Sequence, residues 1–314
     1  MQEGSRKAII AAFFANLGIA IAKFIGFALT GAASMLAEAI HSVADSSNQG
    51  LLLLGGKRAR RAADAEHPFG YGRERYFWSF VVAMVLFSLG GMFALYEGVQ
   101  KLRKPHEVES VIVAVVILTL AIVFETFSFR TAIKESNHVR GEASWWQFIR
   151  RSKSPELPVV LLEDLGALVG LILALVGVGL AEFTGNPRWD AVGSVSIGLL
   201  LLVIAIILAV EMKGLLIGES AAPEMQAKIR TAMEGDDSVQ RVIHMRTQHI
   251  GPDELLVGAK LEFDGHLGFA EVATAVNRIE KSVRDACPQA RMIYLEPDIA
   301  RPAGEVPAEG AAAV

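Results

Sequence analysis

The chain has 314 residues, 52% of them hydrophobic, a mean hydropathy of +0.40 and a formal net charge of −4. That apolar content points to the membrane class, and the mildly acidic balance gives no reason to propose a nucleic-acid partner. The only cysteine, Cys287, excludes an internal disulfide framework and a cysteine-rich metal site, and reads as a small buried side chain.

At roughly 20 apolar residues per crossing, six candidate spans follow in chain order, at residues 8–29, 33–55, 76–100, 111–129, 157–180 and 191–210. The first follows Arg6 and Lys7 and is too long for a signal-peptide core, so it reads as a retained span. Lys and Arg number 2, 6 and 6 in residues 1–7, 56–75 and 130–156, against 0, 3 and 1 in the intervening loops. The positive-inside rule then puts both termini in the cytoplasm. The run Lys57, Arg58, Arg60, Arg61 is a topology anchor, with anionic lipid binding as the alternative. Trp145, Trp146 and Phe148 beside Arg150 and Arg151 suit a segment lying along the membrane surface.

Residues 1–212 are thus expected to form a six-helix membrane domain, and 213–300 a cytoplasmic α+β domain of ferredoxin-like, αββαβ type. Pro223 opens a helix to about residue 233, residues 239–248 and 255–263 alternate as a hairpin around Gly251-Pro252, 269–286 has helical spacing, and 291–295 is a short last strand. Helices on one face of a small sheet fit this order. The tail, 301–314, is rich in Ala, Gly, Pro and Glu and is expected to be disordered.

Function is read from the second span. Glu38, His41 and Asp45 share one helical face, and Asn48 and Gln49 continue the stripe. Ionisable groups in hydrocarbon are costly, so a face that keeps three of them points to a polar cargo. The fifth span carries Glu163 and Asp164, so two helices offer acids to one site. An imidazole with carboxylates suits a divalent transition metal, zinc first, with manganese or ferrous iron open to an oxygen-rich set. His41, Asp45 and Asp164 are the primary candidates. Glu38, nearer the span end, has solvation as its alternative; Glu163, about 100° round the helix from Asp164, is a supporting residue. Asn48, Gln49, Asn16 and Glu125 are accounted for by interhelical hydrogen bonding, and Lys23 by pairing with an acid or snorkelling.

The stretch from Ala33 to Asp45 (ASMLAEAIHSVAD), the loop from His67 to Arg73 (HPFGYGR), residues 161–166 (LLEDLG) and 216–220 (LIGES) resemble the cation diffusion facilitator family, the divalent-metal/proton antiporters that include many zinc exporters. The resemblance covers nearly the whole chain. It implies two ligands four apart on the second span, His41 and Asp45, and two on the fifth, Val160 and Asp164. Valine cannot bind metal, so Glu163, Asn48, Gln49 or water is left to fill that place. A loop site of the family falls on Asp64, His67 and Tyr71, with tyrosine where a histidine is expected. The cytoplasmic sites fall partly on Lys260 and Leu295, leaving His244, His249, His266 and Glu296 as nearby candidates.

The resemblance further implies alternating-access export of zinc in exchange for protons by a homodimer in the lipid bilayer, with no resident cofactor and no enzymatic reaction. A manganese, iron or cobalt exporter of the same family is the alternative. A membrane-embedded metal-dependent enzyme would need clustered aspartates beside basic groups, and a metal sensor would need an effector domain; neither pattern is found. No transit peptide is recognised, and a bacterial inner membrane is the expected location.

Overall fold

The computed structural model describes residues 3–105, 108 and 110–299, with side chains from Leu17 onward; the side chains of Arg6, Lys7 and Asn16 and the 301–314 tail lie outside the described set. Among the described residues seven helices, α1 (Glu3–Thr30), α2 (Ala33–Arg58), α3 (Glu74–Arg103), α4 (Val111–Arg140), α5 (Trp145–Arg151), α6 (Glu156–Thr184) and α7 (Arg188–Ile217), lie before Gly218. The chain divides into two units after Leu216.

Among the described residues four helices, α3, α4, α6 and α7, are long and apolar enough to cross a membrane by length and composition. The expected second span is the informative exception: α2 is 26 residues long, but its polar stripe dilutes its hydropathy. That stripe is the reason, because Ser34, Glu38, His41, Ser42, Ser46 and Asn48 are all buried in the protein and not turned outward. α1 has its described apolar part at Leu17–Thr30.

Turns between these helices are closed locally. Gly31, at φ +61, ends α1 in the left-handed conformation that glycine adopts without penalty, and its N–H donates to Phe27 O at 2.8 Å. α3 contains a π-helical stretch, Leu86–Met92, of the kind often found beside functional residues. α3 and α7 approach closely at Gly198, where a Cβ would sit 2.8 Å from Leu95 N. Ser144 and Gln147 form a capping box that opens α5, Arg140 stacks over Trp145 at 4.3 Å, and Phe148 is buried beside Ala132 and Leu161.

The N-terminus of α2 is capped from another helix. Its N-cap, Ala32, has no side chain for the task, and Asp190 at the start of α7 accepts from Ala33 N at 2.9 Å, from Ser34 N at 3.4 Å and from the Ser34 hydroxyl. Lys101 neutralises Asp190 at 2.9 Å and donates to Gly31 O at 3.1 Å, with both side chains fully buried. Lys101 is therefore not the exposed loop charge that the orientation count assumed.

The second unit has the element order expected of it: α8 (Pro223–Glu234), β1 (Val239–Gly251), β2 (Glu254–Phe263), α9 (Phe269–Ala286) and β3 (Ala290–Pro297). β2 is central, antiparallel to β1 and parallel to β3, as a hairpin followed by a helical crossover requires. Leu255, Val257, Ala259 and Leu261 alternate along β2 into a core shared with Ile229 and Met233 of α8, Ile279 and Val283 of α9, and Cys287, which is buried as expected.

Asp236, in the turn before β1, is gripped by Arg278 of α9 at 3.0 and 3.1 Å and by Ser238 N at 3.1 Å. The Arg278 hydrogen bonds, more than any other contact, hold its carboxyl down at about 2, against an ordinary value of 3.8. A lowered folded-state pKa stabilises above the ordinary value and ceases to do so as pH falls toward 2. Asp236→Asn is expected to lower the amide-exchange protection of α9 and β1 at neutral pH by roughly 1 kcal/mol, a figure discounted because Arg278 is half exposed. The difference from wild type should shrink steadily between pH 4 and pH 2 if the carboxylate is its source.

Candidate functional site

α2 and α4 each pack on α6, and these three helices, with Ile19 of α1, enclose a small cavity. Asp45 and Gln49 of α2, Glu125 of α4, and Glu163 and Asp164 of α6 line it, so four carboxylates from three helices face one space. Its volume, about 20 Å³, suits one water-sized occupant. Val160 forms part of the wall one turn before Asp164.

The lining is incompletely satisfied. Asp45 Oδ1 and Gln49 Oε1 are fully buried and accept no hydrogen bond from the described residues. Asp164 Oδ2 accepts from Ser128 Oγ at 2.9 Å, and Glu163 Oε1 from Asn48 Nδ2 at 2.5 Å. The last bond ties α2 to α6. Buried oxygens without donors are costly, and neighbouring anions repel each other more strongly in a medium of low dielectric. A cation in the cavity answers both demands.

His41 is fully buried, with Nδ1 3.6 Å from Asp45 Oδ1, too long for a hydrogen bond. It is not among the cavity's lining residues, and neither ring nitrogen has a partner among the described residues. The ring lies against Gly90 in the π-helical stretch of α3, where a Cβ would be 3.7 Å from Nδ1. Among the described residues no three His, Cys, Asp or Glu side chains are drawn together closely enough to hold a metal.

Two expectations about flanking residues are corrected. Glu38 is not solvated: it is completely buried and paired with Lys23 at 3.1 Å, while Lys23 also donates to Ser42 at 2.7 Å. Burial leaves Lys23 no route to water, so it pairs instead of snorkelling. Glu125, assigned from sequence to interhelical hydrogen bonding, makes no such bond with a described residue and lines the cavity. Its proximity to the α2 and α6 acids depends on helix packing, for which its local sequence carries no signal.

The loop residues organise their own turn. Asp64 accepts from His67 N at 2.7 Å, Glu66 N at 3.1 Å and the Tyr71 hydroxyl at 2.6 Å, and the His67 and Tyr71 rings stack 4.4 Å apart. The Tyr71 hydrogen bond is the main reason the Asp64 carboxyl is held below its usual range, and the same bond pushes the Tyr71 phenol up. Tyr71→Phe is expected to move the Asp64 titration upward, read by carboxyl chemical shifts in labelled protein. No movement would mean that the backbone donors alone set it.

In the second unit the candidates divide: His244 and Glu296 line one pocket with Lys260 and Leu295, while His249 and His266 do not line it. His249 is buried opposite Leu255, and Glu296 lies beside Lys260, which pairs with its carboxylate at 2.8 Å. The five-residue offset along β2 separates the two by about 17 Å. His266 sits in the turn after β2, where its N–H donates to Asp264 Oδ1 at 3.0 Å. Strand register thus separates His249 from Glu296 and brings His244 and Glu296 to either side of Lys260.

Residues 9–217 match the family model described as the cation efflux transmembrane domain. The chain belongs to the cation diffusion facilitator family. It is 33% identical over 268 residues to the mouse (Mus musculus) "Proton-coupled zinc antiporter SLC30A9, mitochondrial", covering 84% of this chain and 47% of that protein. It is 31% identical over 267 residues to "Metal tolerance protein C4" of Arabidopsis thaliana, covering 84% and 58%. With "Magnetosome protein MamB" of Paramagnetospirillum magneticum the identity is 24% over 289 residues, 90% of each chain. The chain therefore spans about half the length of the first of these relatives and nearly all of the last. The matching family is one of cation transporters, not enzymes.

Proposed function

We propose that the protein exports a divalent transition-metal cation, zinc foremost, from the cytoplasm in exchange for protons. The observation that carries the reading is the cavity between α2, α4 and α6, where Asp45 and Asp164 face one space and buried acceptor oxygens lack donors. His41, one turn from Asp45, supplies the nitrogen ligand when its ring turns to the cavity; no hydrogen bond to a described residue holds it where it is. Metal ligands must be deprotonated, so protons and the cation compete for the same groups, and an inward proton gradient drives the cation out.

In this reading α1 and α2 join the four apolar helices as spans, six in all, with both termini cytoplasmic and a ferredoxin-like second unit. The active form is a homodimer in a bacterial inner membrane. Similarity to a protein named a proton-coupled zinc antiporter supports the cargo and the coupling. A second reading, a manganese or ferrous-iron exporter, is favoured by the oxygen-rich lining.

Purified protein in liposomes, with a trapped zinc indicator and an imposed pH difference, tests the proposal. Zinc uptake driven by the gradient, with matching proton movement, is the expected result. Zinc flux indifferent to the gradient would refute the exchange, and competition by manganese or iron stronger than by zinc would transfer the assignment to the second reading.

A further inference from the structure

We infer that Glu125 of α4 is a direct ligand of the transported cation, supplying the donor that the apolar wall at Val160 cannot. The inference rests on the cavity being the transport site, as proposed above, and adds a third helix to the ligand set.

α4 buries one face, with Ala114, Leu118 and Ala121 in the core, and turns much of the rest outward. Val123, Phe124 and Phe127 around Glu125 are exposed, as expected of a lipid-facing helix, and a carboxylate in that setting is costly unless it is used. Glu125 lines the cavity together with Asp45, Gln49, Glu163 and Asp164. Ser128, one turn on, donates to Asp164 at 2.9 Å, which fixes this face of α4 against α6.

The other acids are partly committed. Glu163 has one oxygen on Asn48 and Asp164 one on Ser128, whereas Glu125 has no hydrogen bond or ion pair with any described residue. A separate observation points to a cationic ligand: Asp45 Oδ1 and Gln49 Oε1 are buried at the cavity without donors, and beside them neither ring nitrogen of the fully buried His41 hydrogen-bonds to a described residue. Asp45, Asp164, Glu125 and the turned His41 make four donors, the number zinc takes, once the side chains draw closer around the cation than they stand in this structure. Three carboxylates with one imidazole also form a harder set than one richer in nitrogen, so Glu125 biases the site toward accepting manganese beside zinc.

The test is zinc binding by calorimetry on the full chain in detergent, with zinc chloride as the probe, melting temperature recorded in parallel, and manganese chloride as the comparison. Glu125→Gln preserves shape and removes the charge, and is expected to weaken zinc binding about 10–100-fold, the range seen when even a supporting group at a metal site is lost. Adding Val160→His in that background should restore most of the affinity. Glu125→His, which keeps a donor, should retain zinc and lose manganese.

Unchanged zinc affinity in Glu125→Gln, with binding lost in Asp45→Asn and Asp164→Asn, overturns the inference and leaves the transport site standing. Unchanged affinity in all three variants overturns both. Lost affinity accompanied by a lower melting temperature and no rescue by Val160→His also overturns it, because the carboxylate then holds helices and not the cation. An unaltered zinc-to-manganese preference in Glu125→His does the same even where Glu125→Gln fails to fold.

Discussion

Asp45→Asn is expected to reduce zinc flux into proteoliposomes by about 10–100-fold or more, at least the loss that follows removal of a group supporting a metal ligand. The same substitution should leave the melting temperature unchanged or raise it. Asp45 Oδ1 is buried and no described residue donates a hydrogen bond to it, so the protein does little to offset its charge; the isosteric amide removes that charge and keeps the volume. Asp164→Asn should act in the same direction on flux. Its effect on stability should be smaller, because Ser128 already satisfies one of its oxygens. Function and stability moving in opposite directions is the signature of a side chain kept for cargo. Near-normal flux in Asp45→Asn would remove the cavity from the transport path, and a large fall in melting temperature would recast Asp45 as a structural anchor.

The largest stability effect is expected away from the cavity. Lys101→Met strips the counter-charge from Asp190, leaving a carboxylate buried at the start of α2 with only the Ala33 and Ser34 donors. Breaking a buried pair from one side costs about 3–5 kcal/mol, so a pronounced drop in melting temperature in detergent is the anticipated outcome. The double variant Lys101→Met with Asp190→Asn should recover most of it, since the amide oxygen still accepts the α2 backbone N–H while carrying no charge. The remaining deficit should be about 1 kcal/mol, the scale of an impaired helix cap. A double variant no more stable than Lys101→Met alone would show that the contacts of the two side chains, and not their charges, hold α1, α2, α3 and α7 at this end.

Much of the second unit was legible because its signals are local. Pro223, the alternation at Leu255, Val257, Ala259 and Leu261, and the Val272–Val276–Ile279–Val283 spacing each specify one element without reference to the rest of the fold. The α2 stripe was legible for the same reason: Glu38, His41 and Asp45 share a face by helical geometry alone, and their cost in hydrocarbon marks that face as functional. Membership of the cation diffusion facilitator family was likewise readable from the motifs around Ala33–Asp45 and His67–Arg73, and the family match over residues 9–217 bears it out.

What each polar side chain does with its charge was decided only by tertiary packing. Lys23 and Glu38 are 15 positions apart, and Lys101 and Asp190 are 89; nothing local says that the first pair neutralises itself or that the second caps a third helix. Glu125 had a plausible local explanation in hydrogen bonding, and it is the packing of α4 on α6 that turns it into the cavity. His249 and Glu296, both near histidine-bearing and acidic stretches, are separated by strand register. Sequence periodicity fixes which side of an element a residue occupies, because that follows from backbone geometry; which opposing charge, donor or void it meets depends on how distant elements pack, and local spacing holds no record of that.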